Sequence, residues 1–266
     1  MRKYFWWINC ILLIILMSIV SWTPVRATKG MVISSTAHTA TAKELFSRYV
    51  NTVYQTAGLE QSGLNMDVFQ KALTGYFNIK AKNNLAQNSS VITVVDFTKS
   101  SREKRMWIID LLNKHLLLNT WVAHGRGSGD EMATSFSDTN ESHQSSLGFY
   151  LADDVYVGKH GRSLRLDGLD QGFNSNARSR GVVVHAAQYV SEATIAAMGR
   201  LGRSFGCPAV SPMVIDQVIN TIKGKSVFFI NGTSKNYTSK YLNNSIFANF
   251  IAPDTTTAAM IESPKL

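Results

Sequence analysis

The sequence predicts an α+β fold: a β-rich domain, a mixed β-sandwich with flanking helices, preceded by a small helical unit. Three observations carry that prediction. Between residues 42 and 77 the apolar residues recur at helical spacing. From Val91 onward, short β-branched runs alternate with turn residues. Two further helical stretches flank one glycine-rich turn around Cys207. The chain has 266 residues, 45% hydrophobic and 17% charged, so it can bury one sizeable core and is too apolar for a disordered chain.

In chain order, Arg2 and Lys3 precede an apolar run over residues 4–22, and Val25-Arg26-Ala27 closes it. Residues 1–27 read as a secretory signal cleaved after Ala27. An uncleaved membrane anchor is the alternative, because the run approaches the length of a membrane span. Residues 28–40 are small and polar and read as a linker. Residues 41–90 form the helical unit. Leu45, Phe46, Tyr49 and Val53 mark a first helix stopped by Gly58. Asn65 caps a second that carries Val68, Phe69, Ala72, Leu73, Tyr76 and Phe77 on one side.

Residues 91–232 form the β-rich unit. The run Val91-Ile92-Thr93-Val94-Val95-Asp96-Phe97 is a strand. Residues 105–112 and 115–124 pair as a hairpin across Asn113-Lys114. Residues 125–146 are polar, rich in glycine and serine and without period, which marks a functional or mobile loop. Residues 147–151 and 155–157 read as a second hairpin over Ala152-Asp153-Asp154. Residues 181–185 read as a buried strand ending on His185. Ser191 caps a short helix to Met198, and Pro212 starts another that ends at Ile222 before Gly224. Residues 226–230 are a last strand, and residues 233–266 a tail.

Export would remove Cys10 with the signal and leave Cys207 as the one thiol. An odd cysteine in an exported chain is an intermolecular partner or a reactive thiol. The ordinary alternative is a small buried hydrophobe. Around Cys207, glycine permits unusual backbone and proline disfavours helix, which predicts a rigid turn with bare amides. A cysteine nucleophile needs a base, and His185, 22 positions earlier at a strand end, is the candidate. An imidazolium there would lower the pKa of the thiol. Loss of Arg2, Lys3 and Arg26 takes the formal charge from +9 to +6. That charge suits an anionic cell-wall polymer or a membrane surface; nucleic acid fits the charge but not the compartment. The spacings of His124, His143 and His160 match no closed zinc pattern.

His185, followed by Gly199-Arg200-Leu201-Gly202-Arg203-Ser204-Phe205-Gly206-Cys207-Pro208, resembles the L,D-transpeptidase signature of a histidine and a later Ser-x-Gly-Cys. The Cys-Pro form resembles the murein L,D-transpeptidase catalytic domain family, the YkuD-like branch. Thr120-Trp121-Val122-Ala123-His124-Gly125-Arg126, Ser145-Ser146-Leu147-Gly148-Phe149-Tyr150 and Gly172-Phe173-Asn174 extend the resemblance, as does the stretch from Gly158 to Leu169. Together they cover about residues 91–230.

The resemblance implies a peptidoglycan enzyme in the periplasm or cell envelope. Its cysteine attacks a stem-peptide carbonyl, expels the terminal D-residue and passes the thioester to an amine. Cys207 is then the nucleophile, His185 the base and Ser204 a structural or orienting group. Backbone amides around Gly206 and Cys207 form the oxyanion hole. No metal or organic cofactor is implied. The same resemblance makes the enzyme a carbapenem target. Two positions depart from the family: Phe205 stands where many members have histidine, and Ala209 where many have Arg or Asn. Arg203, Arg200, Arg162 and Arg165 are candidates to replace that cation, with Phe205 and His160 as further substrate-binding residues. The alternatives are an L,D-carboxypeptidase or L,D-endopeptidase using the same thioester, and a non-catalytic cell-wall-binding module.

Overall fold

The structure, a computed structural model, describes residues 42–83 and 90–243. The expected signal of residues 1–27, the linker of residues 28–40 and residues 244–266 of the expected tail lie outside the described residues. Helical periodicity gives α1 (Ala42–Thr56) and α2 (Met66–Asn83). Asn65 Oδ1 accepts the Asp67 N–H at 2.8 Å, satisfying one of the amides that a helix start leaves unpaired. Phe46, Tyr49 and Val53 of α1 and Phe69, Leu73 and Tyr76 of α2 share one core with Val94, Trp107, Phe149 and Phe229 of the sheet.

Eight strands form that sheet: β1 (Val91–Asp96), β2 (Met106–Asp110), β3 (His115–Thr120), β4 (Gly148–Gly158), β5 (Gly161–Gly168), β6 (Val183–Ala186), β7 (Ala209–Val210) and β8 (Ser226–Asn231). Their order is β3-β2-β1-β8-β4-β5-β6-β7. The β1/β8 and β6/β7 pairs are parallel and the others antiparallel. Just past β3, the Ala123 N–H donates to the Ala209 carbonyl at 2.8 Å, and the Ala209 N–H returns to Ala123 at 3.3 Å. The two ends of the sheet therefore meet and the sheet curls almost into a barrel. The β-rich α+β class and the preceding helical unit hold.

Strand alternation sorts the two faces. Val94 and Phe229 point to α1 and α2, while Val95 and Phe228 point to the second core. That core also takes Leu164, Leu166, Val182 and Val184, together with Ile215, Val218, Ile219 and Ile222 of a C-terminal helix (Ile215–Ile222). A short helix, Glu192–Met198, precedes the Cys207 turn and is numbered α3; Ile215–Ile222 is α4. The Ser191 Oγ accepts the Thr194 N–H at the start of α3, and Gly199 ends it in the left-handed region. Among the described residues, no helix is long and apolar enough to cross a membrane.

The hairpin expected over Ala152-Asp153-Asp154 is absent. The chain runs through as β4 with a bulge between Ala152 and Val155, and turns at Lys159-His160 into β5. Arg178 reaches Asp153 at 3.2 Å and Asp154 at 3.3 Å, and Lys225 pairs with Asp153, so the acidic pair is held by ion pairs beside a strand. β5 escaped the sequence reading because Arg162, Arg165 and Asp167 break its apolar pattern. The helix expected from Pro212 begins at Ile215.

Gly75 sets how closely α2 lies on β4: a β-carbon there would fall inside the Phe149 ring. Gly75→Ala is expected to destabilise the fold by about 1–3 kcal/mol through overpacking. Urea unfolding should show a lower midpoint at unchanged slope. An unshifted midpoint would mean that α2 can ride up from the sheet without cost.

Candidate active site

The parallel pairing of β6 with β7 sets His185 opposite Ala209, two residues past Cys207. Val182 and Val184 point into the α4-side core, so Val183 and His185 face the other way. The Cys207 thiol is half-buried, its Sγ 3.6 Å from the Gly181 carbonyl and within reach of the Val183 amide. Cys207 and His185 thus stand on adjacent chain segments, two register positions apart.

The turn before the thiol is tied from several sides. Ser204 Oγ donates to the Cys207 carbonyl at 2.6 Å and accepts the Gly206 N–H at 3.1 Å. The Ser204 N–H donates to the His124 carbonyl, and the Arg126 N–H to the Ser204 carbonyl. Ser145 Oγ donates to the Gly206 carbonyl at 3.2 Å and accepts the Gly125 N–H at 3.0 Å. Gly206 has φ +122°, and a β-carbon there would lie 2.8 Å from the Gln144 carbonyl. Glycine is required on both counts. The expected oxyanion hole changes accordingly. The Gly206 amide is spent on Ser204, and among the described residues the Cys207 amide has no hydrogen-bond partner.

His185 Nδ1 lies 2.9 Å from the Ala186 carbonyl. A carbonyl only accepts, so Nδ1 carries the proton of the neutral ring and Nε2 keeps its lone pair. Ser204 therefore does not orient this ring; it shapes the turn. His160, at the tip of the β4–β5 hairpin, stacks on His185 with centroids 4.3 Å apart. Burial pushes the Cys207 thiol up, opposed by the Val183 amide, Arg180 and Lys159. Burial also pushes His185 down, helped by His160 and Lys159. Desolvation thus opposes the expected lowering of the thiol.

The other histidines are committed elsewhere. His124 is fully buried; its Nδ1 accepts from Arg105 at 2.7 Å and its Nε2 faces the Gly129 carbonyl. Burial, then the Arg105 charge, push it down to about 4. His143 packs on the Phe205 ring, with Arg126 3.0 Å from its Nδ1. Among the described residues no group of three His, Cys, Asp or Glu could hold a metal.

The candidate cations separate in the same way. Arg162 bonds Asp216 and Asn220 of α4 at 2.7 Å, on the Leu164 side of β5 and so away from His185. Arg203 pairs with Asp130 at 2.7 Å and with the Gly129 carbonyl, while Arg200 turns back to the Leu201 carbonyl. These three guanidinium groups are engaged by partners within the protein. Arg165 lies opposite Val183, on the face that carries His185, with its guanidinium 4.6 Å over the Tyr156 ring. Phe205 is exposed, with Arg126 4.4 Å over its ring. Ala209 is fully buried against Ala123 and Leu201, where no cation fits.

The sequence reading missed Arg180. Its side chain is 4% exposed. Nη1 donates to the Ser137 carbonyl and Ser146 Oγ, and Nη2 to Ser142 Oγ and the Gln144 carbonyl. Nη2 comes within 3.5 Å of where a Gly206 β-carbon would stand. One guanidinium thus fastens both arms of the long polar loop beside the turn. The signal available was the loop itself, whose carbonyls need donors from elsewhere. Tyr189, packed on Gly202, was also unseen; burial and Cys207 push it up to about 12.

The L,D-transpeptidase catalytic domain family matches residues 60–231, well over half of the chain. The chain belongs to that family. The match takes in α2 and all eight strands of this L,D-transpeptidase domain. Among solved structures, the domain is similar to an L,D-transpeptidase from Mycobacterium smegmatis, at 13% identity and TM-score 0.33, covering 54% of this chain and 59% of that one. An L,D-transpeptidase from Stackebrandtia nassauensis gives 13% identity, TM-score 0.35 and coverage of 65% and 68%. The helical cell shape determining protein Pgp2 from Campylobacter jejuni gives 14%, 0.38, and 68% and 62%. The chain thus spans about three fifths of the length of the Mycobacterium smegmatis structure. No curated protein matches the chain.

Proposed function

We propose that this L,D-transpeptidase is exported to the cell envelope and cross-links peptidoglycan stem peptides through a thioester on Cys207. The observation that supports this reading most is His185, its Nδ1 held by the Ala186 carbonyl, two register positions from a thiol on a glycine-dependent turn. Sγ attacks the carbonyl carbon that follows the L-configured centre, and Nε2 takes the thiol proton. The Cys207 N–H faces the developing oxyanion. His185 then returns the proton to the departing D-residue nitrogen, leaving the acyl group on Sγ. An acceptor amine attacks this thioester, His185 takes its proton, and Sγ leaves with the peptide bond formed. The residues at the thiol supply the nucleophile, the base and an oxyanion donor, so the route needs no metal or cofactor. The net charge of +6 left once Arg2, Lys3 and Arg26 are removed favours an anionic wall polymer as partner.

The test is mass spectrometry of a stem tetrapeptide incubated with the full chain and an amine acceptor. A cross-linked product that has lost one D-residue supports the reading. Release of the D-residue with water alone would make the protein a carboxypeptidase, and no turnover would make it a binding module.

A pH prediction follows for acylation by a carbapenem, the β-lactam class expected to mimic the donor. The pKa of His185 is depressed, so its base function is present above that value and lost as pH falls through it, below the ordinary value of about 6.5. His185→Ala should slow adduct formation near neutral pH by about 10²–10⁴-fold and recover in alkali, as the thiolate of Cys207 forms. Identical rate–pH profiles in intact-protein mass spectrometry would remove His185 as the base.

A further inference from the structure

A cavity of about 650 Å3 lies across the polar loop from the thiol turn; Phe136, Asp138, Asn140, Gln171, Phe173 and Asn236 are among its lining residues. No Lys, Arg or His lines it, although the chain carries a net charge of +9. Its one charged group, Asp138, is buried. The Asp138 carboxylate accepts from Ser175 Oγ at 3.1 Å and from the Asn176 N–H at 3.0 Å, and Arg180 lies 3.9 Å away. An anion finds no counter-charge in this cavity, and a cation finds a carboxylate already satisfied. The chemistry that remains is neutral and polar.

The side-chain amides of Asn140, Gln171 and Asn236 are exposed on the cavity wall. Each presents two N–H donors and a carbonyl acceptor in one plane, which matches neighbouring hydroxyls or an acetamide. Two aromatic side chains, Phe136 and Phe173, line the cavity with these amides. Phe173 meets Tyr237 edge-on at 5.1 Å, and Phe136 stacks on Phe97 at 6.5 Å. A fixed ring offers a flat apolar surface to the C–H face of a pyranose. The volume falls within the range of small-ligand sites and accommodates a disaccharide.

The loop that walls this cavity also touches the thiol turn. Ser137 to Asn140 and Leu147 line the cavity, while the Gln144 carbonyl and Ser145 Oγ lie against Gly206. We propose that this cavity is a glycan subsite that takes a neutral N-acetylated amino-sugar unit. Sugar binding stands on the chemistry of the cavity alone. That the bound sugar belongs to the strand whose stem peptide reaches Cys207 rests on the transpeptidase reading above.

The experiment titrates the full chain with a β-1,4-linked N-acetylglucosamine tetramer, and in parallel with cellotetraose, which lacks the acetamides. Calorimetry reads both. The N-acetylated sugar should bind and cellotetraose should bind at least about tenfold more weakly, the loss expected from one or two hydrogen bonds. Phe173→Ala should weaken binding by a similar factor. Because that variant removes packing against Tyr237, the double variant Gln171→Ala/Asn236→Ala provides an independent arm on exposed positions. It should weaken binding at least about tenfold with an unchanged unfolding midpoint. Cys207→Ala should bind as the wild type does. No binding by the folded wild type, equal affinity for cellotetraose, or full affinity in the double variant would each overturn the subsite. Sugar binding without any turnover of stem peptides would sink the transpeptidase reading and leave the subsite standing.

Discussion

Cys207→Ala is expected to abolish both acyl-enzyme formation and cross-linking while leaving the fold in place. The structural cost is small because the turn is held by backbone and serine groups that alanine retains. Ser204 Oγ still finds the carbonyl of residue 207, the Gly206 N–H still finds Ser204, and β7 still pairs with β6. The thiol itself contributes a weak 3.6 Å contact to the Gly181 carbonyl and partial burial, worth about 1 kcal/mol. The chemical cost is complete, because Cys207 is the one free cysteine among the described residues. Removing the nucleophile of a catalytic unit lowers turnover by about a million-fold. Intact-protein mass spectrometry should find no carbapenem or peptide adduct on the variant, and the urea midpoint should stay near that of the wild type. An adduct on folded Cys207→Ala protein, or retained cross-linking, would remove Cys207 from the mechanism.

What was legible in the sequence was what local chemistry encodes. The helical stripe from Phe46 to Phe77, the Asn65 cap and the Ser191 cap each depend on neighbours within a few residues. The Gly206-Cys207-Pro208 turn was legible for the same reason, while the strand expected over residues 181–185 runs instead from Val183 to Ala186, one residue past His185. What stayed hidden depends on distant partners. Asp153 and Asp154 look like a turn until Arg178 and Lys225 are seen to hold them beside a bulge. Arg162 looks like a site cation until strand parity sends it to Asp216. The Gly206 amide looks free until the Ser204 hydroxyl is placed. The pKa direction of Cys207 reverses because burial, a sum over the whole packed sheet, outweighs the Val183 amide and the nearby cations.

Arg180→Gln is expected to lower stability and to move the thiol profile together. Its guanidinium serves the Ser137 and Gln144 carbonyls and the Ser142 and Ser146 hydroxyls from a position almost closed to water. Glutamine reaches only part of that set, and Asp138 loses the cation at 3.9 Å. Breaking a buried network of this kind costs about 3–5 kcal/mol, a large share of a typical 5–15 kcal/mol of folding stability. The loop that rests on Gly206 should then loosen. The charge matters separately. A cation near Sγ favours the thiolate, so its removal raises the thiol pKa further, and alkylation should need higher pH. Lys159 also favours the thiolate, so the shift should be partial. Arg180→Lys separates the two roles. Lysine keeps the charge but cannot span both arms of the loop with one nitrogen, so stability should fall while the alkylation profile stays near that of the wild type. Iodoacetamide rates across pH and urea midpoints for the three proteins read both quantities. A folded Arg180→Gln with wild-type midpoint and unchanged profile would show that Arg180 neither holds the loop nor biases the thiol.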